Sequence, residues 1–409
     1  MSEARSSTRV LVHVGAPKTG TSFVQDVLWR NREALAARGI LYPADRFDEH
    51  FLAALDLMEL SWGGLEQQAV GAWDRLAERV RGWSGTVIVS HEIFATATPP
   101  QVARALASFG DAEVHVVLSA RDLVRQIPAE WQENVKHRRT VAYRDFLDKI
   151  TDPPRHGQLA SWFWAAQEVP DVLERWGAGL PPDRVHLVTV PRPGAPRDLL
   201  WQRFSRALGL DAAGLSLAPE TTRSNPSMGV NETALVRRVN ERVNPVLVGD
   251  DYRRLVRELL AHRTLSGRTD SPRLGLPDDV RAWAVDLSEA WIEELAKHEY
   301  DVVGTLDDLR PDPRSSEAEF VDPDHPDEDA VSEAALDSIV ALLTEAVRLQ
   351  QSEQAALDRT EAAYQELERS RGLWFRTKRR LVLEADRNRA AAVGLETYRR
   401  ARGRSSRSA

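Results

Sequence analysis

The sequence contains no cysteine among its 409 residues. Disulfide bonds, thiol catalysis, cysteine-ligated zinc and iron–sulfur clusters are therefore excluded. Long apolar runs are also missing, because no stretch reaches the roughly 18 residues that a membrane-spanning helix needs. The apolar run near the start, residues 10–14, is too short for the core of a signal peptide. With 42% hydrophobic and 28% charged residues, the composition is typical of a globular protein, and we expect a cytoplasmic location.

Four short apolar runs predict buried strands, at residues 10–14, 86–89, 114–118 and 185–190. Each is rich in β-branched residues and none alternates with polar residues, which is typical of parallel strands covered on both faces. Helical stretches separate these runs. The sequence therefore predicts an α/β fold with a parallel sheet flanked by helices.

The rest of the chain divides into three parts by composition. Strand signals fade after about residue 225, so residues 1–310 are expected to form one α/β domain whose last part, 225–310, is a helical layer. Residues 311–331 contain four prolines and eight acids against one base, which predicts a solvated acidic linker. Residues 332–409 predict a helical extension with a basic end.

That extension begins with an amphipathic stripe, which fades after Gln350. A coiled coil and assembly with a second copy of the chain both stay open as hypotheses. Its last part, from residue 371 onward, carries twelve basic residues against three acids. Three interpretations stay open: contact with an anionic membrane surface, nucleic-acid binding, and a solvated tail. We expect the solvated tail and no nucleic-acid partner.

The most informative segment follows the first predicted strand and reads Gly-Ala-Pro-Lys-Thr-Gly-Thr-Ser over residues 15–22. A strand, a short glycine-containing loop and the start of a helix together direct backbone N–H groups at one point, where they bind an anion. Gly15 and Gly20 fit the two glycines of the Walker A pattern, and Ser22 fits its final hydroxyl residue. The lysine does not fit, because it stands at position 18 and Thr21 occupies its usual place.

This loop resembles the phosphosulfate-binding loop of sulfotransferases that use 3′-phosphoadenylyl sulfate (PAPS). The resemblance extends through residues 25–43, which look like bacterial members of that family, and onward to about residue 309. It implies a P-loop NTPase-like fold, PAPS as the sulfuryl donor, and no metal. It also implies that the donor is held by the loop residues Gly15, Pro17, Lys18, Thr19, Gly20, Thr21 and Ser22.

A second anion site is implied after the third predicted strand, which ends in Ser119, Ala120, Arg121 and Asp122. In the family an arginine at this place holds the 3′-phosphate of PAPS, and Arg121 matches it. The serine that the family carries two helical turns later is replaced here by Ala129, and Ser119 is a candidate substitute. Arg223 matches a basic loop that closes over the nucleotide.

A base must take the proton of the acceptor hydroxyl or amine, and three candidates stay open. His50 lies about thirty residues after the loop, where family members place their base. His91 and Glu92 follow the second predicted strand, at the edge of a parallel sheet where ligands bind. Lys18 would neutralise the leaving phosphate.

The expected activity is therefore transfer of a sulfuryl group from PAPS to a small-molecule, carbohydrate or lipid acceptor. Two rival hypotheses remain: an ATP-dependent P-loop kinase, and a non-catalytic nucleotide-binding or scaffold protein. No motif in the sequence identifies the acceptor.

Overall fold

The computed structural model describes residues 8–210, 215, 227–312 and 319–385, together with 393, 394 and 397. Six strands form one sheet in the order β2-β3-β1-β4-β5-β6, and each pair of neighbours is parallel. The strands are β1 (Arg9–Gly15), β2 (Ile40–Leu41), β3 (Thr86–Ser90), β4 (Glu113–Ala120), β5 (Val185–Thr189) and β6 (Asp301–Val303). The prediction of a parallel α/β sheet flanked by helices is confirmed.

Helices connect and cover the strands. The α-helices are α1 (Thr21–Arg30), α2 (Arg32–Ala36), α3 (Glu49–Met58), α4 (Glu66–Ala69), α5 (Ala72–Arg81), α6 (Pro99–Ser108), α7 (Leu123–Lys136), α8 (Tyr143–Thr151), α9 (Gln158–Gln167), α10 (Val169–Gly177), α11 (Leu199–Ala207), α12 (Val230–Val243), α13 (Gly249–Tyr252), α14 (Asp278–Leu295) and α15 (Glu328–Ala385). A π-helix, Arg253–Thr264, continues directly from α13.

Both faces of the sheet are buried, which explains why the strand sequences are continuous apolar runs. Side chains on one face pack against α1 and α11; those on the other meet the larger helical layer that contains α3, α5, α7, α10 and α14. Leu11 and Val117 belong to the first face, and Val12 and Val116 to the second. The central strand β1 is therefore held rigidly on both sides, which fixes the position of the loop that follows it.

The helix after β4 begins earlier than the sequence indicated. We placed its start near Ile127 because Pro128 is favoured in a first helical turn. The structure begins α7 at Leu123, because the Asp122 carboxylate accepts a hydrogen bond from the amide of Arg125 at 3.0 Å and so forms the N-cap. Pro128 lies inside the helix.

The chain separates into two compact units, Met1–Ser338 and Ile339–Ala409. The sequence predicts a solvated linker at 311–331, but the described part of this segment belongs to the first unit and makes hydrogen bonds and ion pairs within it. The Asp324 carboxylate accepts hydrogen bonds from the amides of Tyr143 and Arg144, both at 2.9 Å, and thereby caps α8. Glu328 pairs with Arg238 at 2.7 Å.

Most side chains of the second unit that the structure describes are exposed, including the apolar stripe predicted from the sequence. None of the helices described here is both long and apolar enough to cross a membrane.

Candidate functional site

The carboxyl ends of three central strands meet at one edge of the sheet. Since β1 lies between β3 and β4, the loop 15–22, the pair His91 and Glu92, and Arg121 each follow one of three adjacent strands. In open parallel sheets the crevice beyond such strand ends is the usual ligand site. The structure thus brings the three sequence-predicted groups to the same edge.

The backbone of the loop after β1 takes positive φ angles at Gly15 (129°), Lys18 (64°) and Gly20 (93°). A Cβ on Gly15 would approach the carbonyl oxygen of Glu92 to 2.8 Å, and one on Gly20 would approach Leu200 Cδ2 to 2.7 Å. The positive φ favours glycine at both ends of the turn, and at Gly15 the close backbone oxygen adds a steric reason, whereas Gly20 meets only the end of the Leu200 side chain. The turn reverses the chain tightly enough for α1 to start directly at its end.

The N-terminus of α1 carries no side-chain cap, since Gly20 occupies the N-cap position. Backbone hydrogen bonds between described residues do not use the amides of residues 19–22 as donors. Such amides carry the positive end of the helix dipole and attract an anion. Ser22 is exposed here, while Thr21 is buried and Pro17 is half-buried.

Beneath the loop, a buried polar network fixes its shape. The Ser119 hydroxyl donates to the carbonyl of Gly15 at 2.8 Å and lies 2.5 Å from the hydroxyl of Thr19, which donates to the carbonyl of Ala16 at 2.6 Å. Both hydroxyls are almost fully buried. Ser119 and Thr19 therefore fix the backbone of the loop through buried hydrogen bonds.

His13 completes this network and was missed by the sequence analysis. Its Nδ1 lies 2.7 Å from the hydroxyl of Ser90, and its Nε2 lies 3.5 Å from that of Ser119. Burial lowers the pKa of His13 to about 4, so the ring is neutral at physiological pH. The only signal in the sequence was one histidine inside an otherwise apolar strand.

Lys18 forms an ion pair with Glu133 of α7. The same carboxylate accepts hydrogen bonds from His137 Nε2 at 3.1 Å and from Arg257 of the π-helix at 3.3 Å. Burial opposes ionisation of Glu133, but Lys18 and His137 hold its pKa well below the usual range. Lys18 therefore shares its carboxylate partner, Glu133, with His137 and Arg257.

Arg121 lies close to the loop but is engaged by its own surroundings. Its Nε donates to Gln126 Oε1 at 2.9 Å and its Nη2 donates to the carbonyl of Arg125 at 3.0 Å. Gln126 in turn donates to the carbonyl of Pro17 at 2.7 Å, which links Arg121 to the loop. Burial and the nearby Arg125 lower the pKa of Arg121 to about 10.

Glu130, on the same helix as Glu133, was not among the sequence-based candidates. Burial raises its pKa to about 7, although Lys18 acts in the opposite direction. Its Oε1 accepts a hydrogen bond from Gln167 at 2.9 Å. A carboxyl group whose pKa lies near neutrality is suited to general acid–base work.

The three base candidates from the sequence differ in accessibility. His50 is only 2% exposed and accepts the amide of Ser90 on Nδ1 at 3.2 Å. Its ring lies against that of Tyr42 in a tilted arrangement, with centroids 4.3 Å apart. Burial and the nearby His91 lower its pKa to about 3.

Glu92 and His91 are less enclosed than His50. Gln25 of α1 donates to Glu92 Oε2 at 2.8 Å, and although burial opposes ionisation, His91 and this hydrogen bond leave the pKa of Glu92 lowered. His91 Nδ1 accepts the amide of Ile93 at 3.3 Å, and burial lowers its pKa.

Aromatic rings extend from His91 to His137 and form a wall beside these groups. Phe51 stacks on His91 with centroids 5.0 Å apart and meets Trp62 edge-on at 5.7 Å. Trp62 contacts His137 at 5.9 Å and Trp162 at 6.3 Å. This aromatic wall (Phe51, Trp62, Trp162) offers an apolar surface next to the Lys18–Glu133 pair.

Arg223, the last predicted nucleotide contact, lies outside the described residues. Among the described residues, no group of three or more His, Asp or Glu side chains is arranged to hold a metal ion. An open depression of about 370 Å³ is lined by α8 and the loop after it, including Asp145, Asp148 and Lys149. Because strand ends do not contribute to it, we do not assign it to the candidate site.

Comparison of the chain with protein-family models, curated proteins and solved structures found no match. The interpretation of this site therefore depends on its own geometry and chemistry.

Proposed function

We propose that the protein is a PAPS-dependent sulfotransferase built on a P-loop-type α/β fold. The observation that carries the proposal is the turn 15–22, which combines an uncapped helix N-terminus with a lysine two residues ahead of the second glycine. The amides of residues 19–22 would bind the phosphosulfate bridge of the donor. On donor binding, the Lys18 ammonium group would leave Glu133 and pair with the bridging phosphate oxygen.

In the proposed reaction, an acceptor oxygen or nitrogen attacks the sulfur in line with the bond to the bridging phosphate oxygen. That bond breaks, and its electron pair leaves with adenosine 3′,5′-bisphosphate. Lys18 and the loop amides stabilise the charge that develops on the leaving phosphate. The work of the protein is positioning and electrostatic stabilisation, as in phosphoryl transfer.

The proton of the acceptor goes to a base, for which accessibility favours the two carboxyl groups Glu92 and Glu130 over His50. Enclosure of His50 leaves no exposed ring nitrogen to meet an acceptor. His91 remains a third candidate, since its Nε2 accepts no hydrogen bond from a described residue. Glu130 has the pKa closest to neutrality among these groups.

Two alternatives give different ligand preferences. A P-loop kinase would bind ATP with Mg²⁺, but a Walker lysine is absent at position 21. A non-catalytic nucleotide-binding or scaffold protein would bind a nucleotide without turnover. The replacement of the expected serine by Ala129 and the internal hydrogen bonds of Arg121 support this second alternative.

Incubation with ³⁵S-labelled PAPS and a panel of hydroxyl and amine acceptors tests the proposal. We expect labelled product and stoichiometric release of adenosine 3′,5′-bisphosphate. Transfer from γ-labelled ATP with Mg²⁺ would establish the kinase instead. Tight nucleotide binding without transfer to any acceptor would support the scaffold.

A further inference from the structure

Lys136, one of only five lysines in the chain, ends α7 and is just 3% exposed. Its ammonium group makes no hydrogen bond and no ion pair within 4 Å to any residue that the structure describes. An anionic ligand that reached the ammonium group of such a lysine would stabilise its charged form.

The surroundings of Lys136 are themselves cationic. Burial and the neighbouring Lys18 lower the pKa of Lys136 to about 8, and Arg257 acts in the same direction. Burial and Lys136 similarly lower the pKa of His262 to about 4. Two anions lie among these groups: Glu258 acts on His262, and Glu133 is already shared by Lys18, His137 and Arg257.

Arg257 reaches this recess from an unusual element. It lies on the twelve-residue π-helix Arg253–Thr264, and its Nε is buried without a hydrogen-bond partner in the described structure. π-Helical turns are rare and occur mostly at functional sites. We call Lys136, Arg257 and the adjacent Glu133 the cationic recess.

The cationic recess lies at the far end of α7 from the proposed 3′-phosphate site. Arg121 precedes the first residue of α7, Leu123, whereas Lys136 is its last residue. With a rise of about 1.5 Å per residue, the two ends of this helix are roughly 20 Å apart. The donor phosphates are thus assigned to the loop and the N-terminal side of α7.

The recess is instead continuous with the aromatic wall. His137 follows Lys136 directly and contacts both Glu133 and Trp62. Lys18, which would hold the reacting end of the donor, pairs with Glu133 from the other side. A molecule lying on the aromatic wall with its nucleophile near Lys18 could therefore extend an anionic group to Lys136.

We propose that Lys136 and Arg257 form an anion subsite for the acceptor, so that the molecule receiving the sulfuryl group carries a carboxylate, sulfate or phosphate of its own. This inference rests on the proposed function. The anionic group would complete the charge balance of the recess and position the acceptor nucleophile beside Lys18.

Matched acceptor pairs test the inference, for example methyl β-D-glucuronide against methyl β-D-glucoside, and 4-hydroxyphenylacetate against 4-methylphenol. With labelled PAPS we expect the charged member of a pair to react with a kcat/KM at least about tenfold higher, as one charged hydrogen bond provides. In Lys136→Met this preference should disappear because the KM of the charged acceptor rises. Lys136→Arg should keep most of the preference. Lys297→Met, at an exposed lysine, is the control.

Three results would overturn the inference. One is equal use of charged and neutral acceptors by the wild-type protein. Another is a preference that survives Lys136→Met. The third is weaker binding of adenosine 3′,5′-bisphosphate to Lys136→Met with unchanged acceptor KM, which would assign the recess to the donor.

If no panel member reacts, calorimetric titration of inorganic sulfate decides the question. We expect wild-type protein saturated with adenosine 3′,5′-bisphosphate to bind sulfate at least about tenfold more tightly than Lys136→Met. Equal sulfate affinities of the wild-type protein and Lys136→Met would contradict the subsite. Sulfate binding that is lost only when Lys18 is replaced would also contradict it. If the nucleotide does not bind, the proposed function fails, and the same titration without nucleotide still tests the recess.

Discussion

At the level of single residues, Lys18 distinguishes this loop from an ATPase loop. Its ammonium group is half-buried and held by Glu133, so it is pre-positioned within reach of an anion above the turn. Replacement by alanine leaves Glu133 with Arg257 and His137 as partners. The fold should therefore survive the change.

We predict that Lys18→Ala lowers the rate of sulfuryl transfer by about 10²- to 10³-fold, because a group that stabilises the leaving phosphate is lost. Transfer of labelled sulfate measures the effect, with circular dichroism to verify folding. Lys297→Ala, at an exposed site, should leave the rate unchanged. A Lys18→Ala rate within threefold of wild type would remove Lys18 from the chemistry.

Because His13 and His50 are buried, we predict that the folded protein becomes less stable in acid. Their folded pKa values, about 4 and about 3, lie below the ordinary value of 6.5, so the unfolded chain binds more protons as the pH falls. Stability is therefore complete above pH 6.5 and declines toward pH 4. At pH 5 each histidine should reduce the free energy of unfolding by about 2 kcal/mol.

Urea unfolding at pH 7.5 and pH 5.0 checks this prediction. In His50→Asn, whose Oδ1 can accept the amide of Ser90, the difference between the two pH values should shrink by about 2 kcal/mol. His298→Asn, at a more exposed position, should leave it unchanged. A pH-independent stability of the wild-type protein between these values would contradict the account.

At the level of elements, the turn before α1 depends on Gly20. A side chain there would combine a φ of 93° with an approach of 2.7 Å to Leu200. Gly194→Ala is the matched control, because Gly194 has a φ of 88° and no atom within 4 Å of the built Cβ. The two substitutions share the backbone strain but differ in the clash.

We predict that each variant loses about 1 kcal/mol of stability from the positive φ, and that Gly20→Ala loses more. Only Gly20→Ala should weaken binding of adenosine 3′,5′-bisphosphate, because Gly20 is the N-cap of α1 and a methyl group there crowds the turn that presents the helix amides. Thermal unfolding and calorimetry separate the two effects. Equal nucleotide affinity in both variants would show that the turn is not the binding site.

Elements were predictable where local sequence decides them. The buried runs that became β1, β3, β4 and β5 are continuous and β-branched, whereas β2 and β6 contain only two and three residues and have no pattern of their own. The start of α7 was misplaced because Pro128 gave a stronger signal than the Asp122 cap. The sequence predicts helices within 225–310 but not that one of them is a π-helix, since sequence periodicity does not report hydrogen-bond register.

At the level of the whole molecule, the boundary of the first unit lies at Ser338. Residues 319–338 contribute the Asp324 cap on α8, the Glu328–Arg238 pair, and the buried side chains of Val331 and Ala334. The sequence favoured an end at residue 310, because acids and prolines alone indicate a linker. Local sequence does not show this, because Asp324 and Glu328 bind partners 181 and 90 positions away.

We predict that a chain ending at Ser338 keeps the stability of the full protein to within about 1 kcal/mol. A chain ending at residue 310 should lose about 2–4 kcal/mol, from the lost cap and the lost apolar burial. Chemical denaturation of the two truncated proteins measures this difference. Equal stability would place the boundary at residue 310 after all.

The candidate site was predictable only in part, because local sequence patterns do not show contacts between residues that lie far apart along the chain. The loop 15–22 forms a local motif, and its glycines and lysine could be read directly. The partner of Lys18 could not be predicted, because Glu133 lies 115 positions away, and Arg257, which shares that carboxylate, lies 239 positions away. The burial of Lys136 gave no signal in the sequence, since α7 packs against α12, α14 and the π-helix, which all lie far along the chain.

Calorimetric titration with adenosine 3′,5′-bisphosphate, compared with ATP in the presence and absence of Mg²⁺, tests the central claim most directly. The account predicts tight, Mg²⁺-independent binding of the bisphosphate, much weaker binding of ATP, and loss of bisphosphate binding in Gly20→Ala. Preferential binding of ATP with Mg²⁺, or no binding of either nucleotide, would contradict it.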